Sequence, residues 1–151
     1  MNISNLAVAA LAMAATTPAL SLESDLRAGL GASVAAVKAA YGTPLDPTPD
    51  QSTGARVLNL KTKGVHYFFD DSGKVYSVRV EEPFAGKVAG VAIGDGERQV
   101  VEALGAPVAT KNLAALDIGG KRTLRFPIDD AVTQTVVLDR DGRVVRMFVT
   151  R

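Results

Sequence analysis

Three stretches of this chain hold residue types that could do chemistry. The first is the loop Gly94-Asp95-Gly96, which precedes an amphipathic run and could present backbone donors to an anion. The second is Asp139-Arg140-Asp141-Gly142, which superficially looks like a calcium loop. The third is His66, the single histidine, together with the carboxylate pairs Asp70-Asp71, Glu81-Glu82 and Asp129-Asp130. Each has a plain alternative. Gly94-Asp95-Gly96 is followed by neither Gly-Lys-Ser/Thr nor a third glycine, because Gln99 occupies that place. Asp95 puts a negative charge where an anion would sit, so the loop reads as a helix start capped by its own aspartate. The Asp139 stretch lacks the further oxygen ligands of an EF-hand and reads as a hairpin turn, as does Asp70-Asp71-Ser72-Gly73. Adjacent carboxylates in turns are normally solvated. One imidazole supports neither a two-His metal site nor a triad unless Asp and Glu supply the rest. No catalytic residue, metal ligand or cofactor site is assigned.

The absence of cysteine excludes a Cys-ligated zinc site, an iron–sulfur cluster, a disulfide and a catalytic thiol. Seventeen Lys and Arg against sixteen Asp and Glu leave a formal charge of +1, which points to no nucleic-acid partner. At the N-terminus, Leu6–Ala15 is an apolar run too short to span a bilayer. Small residues follow it, and charges begin only at Glu23. Residues 1–19 are therefore read as a signal peptide, although Met1–Asn5 carries no basic residue; the other reading is an Ala-rich helix packed on the domain. Export predicts a periplasmic or secreted protein with no stable membrane insertion after cleavage.

The elements that must position these residues are written twice. Sliding the sequence by 63 lays Leu30–Pro44 on Ile93–Pro107; sliding it by 69 lays Phe69–Val80 on Leu138–Val149. In the first block Ser33 and Gly96 are N-cap types, and Val34, Val37 and Tyr41 repeat at helical spacing, as do Val100, Val101 and Leu104. Gly42 and Gly105, with Pro44 and Pro107 beyond, end the helices. The second block is a β-hairpin closed by the Asp-Gly turns, and "ARVLNL" and "KRTLRF" each supply one more strand. The Pro-rich stretch 44–54 reads as a surface loop. The expected architecture is α+β: two tandem α-β-β-β repeats, residues 20–82 and 83–151, forming one antiparallel sheet with the helices packed on one face. Residues 20–151 then make one compact domain.

Alternation assigns Val65, Tyr67, Phe69, Tyr76, Val78 and Val80 to the helix-covered face, with Val136, Leu138, Val145, Met147 and Val149 in the second copy. The other face receives His66, Phe68, Val75, Ser77 and Arg79, then Thr135, Val137, Val144, Arg146 and Phe148. A face of aromatics, valines and arginines has the composition of a binding patch. The candidate partner-binding residues are His66, Phe68, Arg79, Val137, Arg146 and Phe148. The same face could equally be covered by the N-terminal segment, a long loop or a second protomer.

The pattern Gly-x-(Ser/Gly)-x-x-x-Val-x-x-x-(Tyr/Leu)-Gly-x-Pro, followed by Asp-x-x-Gly-(Lys/Arg)-Val, resembles the repeat of SmpA/OmlA-type small envelope proteins. In tandem it resembles the β-lactamase-inhibitor-protein fold. The resemblance spans most of residues 30–149 and implies an extracytoplasmic α+β protein that binds other proteins. The chain lacks the Cys that anchors the first group to lipid and the disulfides of the second, and no functional residue of either carries over. The expected function is non-catalytic binding of another envelope or secreted protein through the exposed sheet face. Two alternatives stay open: a homodimer that buries this face, and a small periplasmic hydrolase or ligand-binding protein. The site of the latter would lie between the copies and use His66 with a carboxylate.

Overall fold

The structure, a computed structural model, describes residues 26–41, 48–49, 56–60, 63–112 and 122–151. The leader assigned to residues 1–19, the stop signals Gly42 and Pro44, and most of the Pro-rich stretch lie outside the described residues.

Two short helices form where the sequence caps them. α1 is Val34–Tyr41 and α2 is Glu97–Leu104. Ser33 Oγ accepts the Ala36 N–H at 3.2 Å, one of the donors that a helix start leaves without an internal partner. Before α2, the Gly96 N–H instead donates to Gln99 Oε1 at 2.8 Å. Gly105 ends α2 at φ 82°, and its N–H returns to Val101 O at 2.8 Å. Asp95 does not cap the helix. It stands one residue before the N-cap, and its Oδ2 accepts the Ala92 N–H at 2.8 Å.

The strands are β1 (Thr48–Pro49), β2 (Arg56–Leu60), β3 (Val65–Phe69), β4 (Val75–Glu81), β5 (Lys87–Val88), β6 (Val91–Ala92), β7 (Ala109–Asn112), β8 (Arg122–Pro127), β9 (Thr133–Leu138) and β10 (Val144–Thr150). β5 and β6 pair as a small separate hairpin. The others form one antiparallel sheet in the order β1-β2-β3-β4-β10-β9-β8-β7. Among the described residues the protein is thus α+β, mostly antiparallel sheet with two short α-helices. Among the described residues, four strands rather than three stand on each side of the seam between β4 and β10, those two strands included. The added strands are the outermost, and neither could be read from alternation: β1 is two residues within the Pro-rich stretch, and β7 is the largely polar Ala-Thr-Lys-Asn.

Both long hairpins turn by the same chemistry. Asp70 Oδ1 accepts the N–H groups of Ser72 at 2.9 Å and Lys74 at 3.0 Å, and Asp139 Oδ1 accepts those of Asp141 and Arg143, both at 2.9 Å. Gly73 and Gly142 follow at φ 74°. The Asp139 carboxylate is therefore occupied in building the turn. The Ser72 hydroxyl, 2.6 Å from Asp70 Oδ1, leads the contacts that hold the Asp70 carboxyl below its ordinary range. The loops ahead of the helices are stitched to the strands after these turns. Gly31 N–H donates to Val75 O at 2.8 Å, and Gly94 N–H to Val144 O at 2.7 Å. Val75 N–H returns to Ala32 O at 2.9 Å, and Val144 N–H to Asp95 O at 2.8 Å. The Glu97 N–H donates to Gly142 O at 3.1 Å. The amides of Gly94, Gly96 and Glu97 are thus engaged within the protein, and Gly94-Asp95-Gly96 is a splice between helix and sheet.

A β-bulge follows each turn. Phe68 pairs with Ser77 and Phe69 with Val75, skipping Tyr76; Val137 pairs with Arg146 and Leu138 with Val144, skipping Val145. The extra residue reverses the strict alternation at that point. Val75 and Val144 belong to the helix-covered core, while Tyr76 is exposed and Val145 half-buried, opposite to the assignment from period two. Elsewhere alternation holds. Val65, Tyr67, Phe69, Val78, Val80, Leu124, Phe126, Val136, Leu138, Met147 and Val149 are buried with Val37 of α1 and Val100 of α2 in one core. Val101, expected to pack inward, is 37% exposed, because Val100 already occupies the inward position and the next residue lies about 100° round the helix.

Candidate functional site

The sheet face opposite the helices is arranged in cross-strand rows, and the pairing brings together all six residues singled out from the sequence. His66 on β3 stands opposite Arg79 on β4, and Arg79 opposite Phe148 on β10. One row over, Glu81 stands opposite Arg146, and Arg146 opposite Val137 on β9. Phe68 pairs with Ser77 and Val57 in the row on the other side.

These residues form two levels. His66, Phe68 and Val137 are a floor, only 5%, 9% and 6% exposed, with Val57 and Ser77 also buried. Arg79, Arg146 and Phe148 are half-buried and stand above it. Long side chains explain part of the cover. The Arg79 guanidinium lies over the Phe68 ring at 5.5 Å, a cation–π contact that shields the ring. Tyr76, turned to this side by the bulge, flanks Phe68 at 6.4 Å between ring centroids. Ser77 Oγ and Thr150 Oγ1 are 2.8 Å apart across the β4–β10 pair.

Glu81 is the hub. Its Oε2 accepts from Arg146 Nε at 2.7 Å, and its Oε1 lies 3.1 Å from His66 Nε2 and 3.5 Å from Arg79 Nη2. Reading Glu81-Glu82 as a solvated turn pair missed this. Glu81 is the last residue of β4, two positions from Arg79 and so on the same face, and that spacing was the available signal.

Burial, then the positive charge of Arg79, pushes the His66 imidazole below its ordinary 6.5, and the opposing pull of Glu81 does not compensate. The His66–Glu81 contact at neutral pH is therefore a hydrogen bond from neutral Nε2–H to a carboxylate. For Glu81, burial alone would raise the carboxyl. The hydrogen bond and charge of Arg146, with Arg79 and His66 adding to them, win and hold it below its ordinary 4.5. A carboxylate clamped in this way is a weak base, and the Ser77 hydroxyl on the same face is joined to Thr150. The arrangement suits fixed charge display better than proton transfer. Among the described residues, no three His, Asp or Glu side chains gather as a metal site.

Among the described residues no helix is long and apolar enough to cross a membrane. Neither a family model nor a curated protein matches the sequence. The fold has solved counterparts. An extracellular protein containing an SCP domain, from Bacillus anthracis str. Ames, superposes with a TM-score of 0.62 at 13% identity. That match covers 95% of this chain, which spans 50% of the Bacillus anthracis chain. A DUF4309 family protein (YjgB) from Bacillus subtilis superposes with a TM-score of 0.55 at 11% identity, covering 79% of this chain and 78% of its own. At such identities the likeness is one of fold.

Proposed function

We propose that this chain is an exported, non-catalytic binding module, built from two tandem units of one helix and its strands, that engages another envelope or secreted protein through the sheet face opposite its helices. The observation that carries the reading is the two-level face: a buried floor, apolar except for His66 and Ser77, under half-buried Arg79, Arg146 and Phe148. Aromatic and arginine side chains over a desolvated floor are the composition of interface hot spots.

Comparison of the two halves supports it. At an offset of 69 the core-face partners stay mostly apolar: Tyr67 with Val136, Phe69 with Leu138, Val75 with Val144, Val78 with Met147, Val80 with Val149. Opposite faces differ in character at nearly every pair: His66 with Thr135, Ser77 with Arg146, Arg79 with Phe148, Glu81 with Thr150. The helix-covered side keeps what packing demands. The other side is free of that demand, and the polar cluster is assembled once, where β4 meets β10. Export is supported by the leader-like N-terminus and by the extracellular neighbour of the same fold. The SmpA/OmlA and inhibitor-protein resemblance stays a statement about helix-capping and turn residues, and the two solved neighbours are of neither kind.

The test compares the purified chain with its Phe148→Asp variant as baits for envelope and culture-fluid extracts, with circular dichroism and sedimentation on both. A protein retained by the wild type and lost with a folded variant supports the reading. Concentration-dependent self-association abolished by the same substitution identifies a homodimer instead. An empty wild-type eluate from a folded monomer returns the weight to a small-molecule site using His66 and Glu81.

A further inference from the structure

The cluster at the β4–β10 pair is not charge-balanced. Two guanidiniums, Arg79 and Arg146, close on the single carboxylate of Glu81, and neutral His66 adds no charge. Arg125 extends the same row beyond Thr135 and is exposed. On this face, among the described residues, three arginines thus stand against one acid. The Arg146 side chain is 36% exposed, and its bond to Glu81 is made through Nε. A guanidinium has five donors in a planar fork, so the terminal nitrogens of Arg146 keep donors for a second carboxylate. Phe148, two residues along β10 and on the same side, supplies an apolar surface beside that fork.

From this geometry we infer that the face selects a protein segment carrying a carboxylate side chain next to an apolar one. The carboxylate sits on the outer edge of Arg146 and the apolar group on Phe148. The inference rests on the protein-binding reading and narrows it to an acidic–apolar partner surface. Its physical basis is charge complementarity: a partly desolvated cluster with one excess positive charge gains from an anion, and a planar carboxylate fits the fork in a way a single point charge does not.

Two tripeptides serve as probes, acetyl-Phe-Glu-Leu-amide and acetyl-Phe-Gln-Leu-amide, titrated into the ¹⁵N-labelled chain while the arginine Nε–Hε signals and the Phe148 amide are followed. The acidic peptide is expected to shift Arg146 and Phe148 together and to bind about tenfold more tightly than the amide peptide, the gain of one charge-assisted contact. Arg146→Gln should erase the difference between the peptides, and Arg146→Lys should restore only part of it. Equal binding of both peptides at Phe148 overturns the acidic preference and leaves the sheet-face reading standing. Sodium phosphate that shifts the same signals as strongly as the acidic peptide overturns it in favour of a free-anion site. Absence of any shift on this face with either probe also overturns it, while the Phe148→Asp capture decides the wider reading separately.

Discussion

Gly64 and Gly142 share a backbone conformation and differ in what surrounds them, which makes them a matched pair for a stability measurement. Their φ angles are +66° and +74°, both in the left-handed region. Alanine pays about 1 kcal/mol for that conformation alone. A Cβ on Gly142 would meet nothing within 4 Å, so Gly142→Ala should cost about 1 kcal/mol and no more. A Cβ on Gly64 would lie 2.0 Å from Glu81 O, 2.7 Å from Phe84 N and 2.9 Å from Pro83 N. All three are backbone atoms that cannot rotate aside, so the chain must move, which adds roughly 2 kcal/mol of overpacking. Gly64→Ala should then cost about 3 kcal/mol in all. With a urea m-value of roughly 2 kcal/mol per molar, the midpoint should fall by about 1.5 M for Gly64→Ala and about 0.5 M for Gly142→Ala. Unfolding followed by circular dichroism reads both. Because Gly64 O also accepts the Glu81 N–H at 2.9 Å, Gly64→Ala should move the Arg146 Nε–Hε signal, and Gly142→Ala should not. Equal losses of stability for the two variants would refute the steric reasoning.

His66 and Glu81 should both weaken the fold in acid, in separate windows. Each has a folded pKa below its ordinary value, so the unfolded chain binds protons more readily. The stability is complete above the unfolded value and is lost as pH falls, starting below 6.5 for His66 and below 4.5 for Glu81. His66→Gln should flatten the first part of the urea-midpoint profile and Glu81→Gln the second; unchanged slopes would contradict the assigned environments. On α2, Val100→Ala should cost about 2 kcal/mol, because it empties a fully buried position. The adjacent Val101→Ala should stay within about 0.5 kcal/mol, and comparable losses would place the wrong side of the helix against the sheet.

Helices, hairpins and the identity of both sheet faces were legible because each rests on local chemistry: Ser33 as a cap, Gly105 as a stop, Asp70 and Asp139 as turn builders, period two along β3 and β9. Failures came where local pattern underdetermines geometry. Nothing in "KVYSV" or "RVVRM" announces an extra residue, so the bulges at Tyr76 and Val145 interchanged Val75 and Val144 with their neighbours. β1 and β7 are too short or too polar to show a period. Glu81 was dismissed because its neighbour in sequence is Glu82, whereas its neighbours in space are His66, Arg79 and Arg146, brought to it by pairing across β3, β4 and β10. The burial of Phe68 and Val137 depends on which long side chains lie over them, and strand spacing carries no such information.

The β4–β10 pair joins strands that lie far apart in the chain, and its polar contacts, Glu81 with Arg146 near one end and Ser77 with Thr150 at the other, act as alignment pins. A slip of two residues would leave every side chain on its own face but would break both pins, so they decide alignment where hydrophobicity is indifferent. The pins are blind to ownership, however. A β10 from a second molecule would satisfy them equally well. What keeps the pairing within one chain is the covalent tether, which holds β10 near β4 at an effective concentration on the order of millimolar. Exchange of C-terminal halves between molecules is therefore a hazard of crowding and of refolding at high concentration, when a neighbour's strand competes on nearly equal terms.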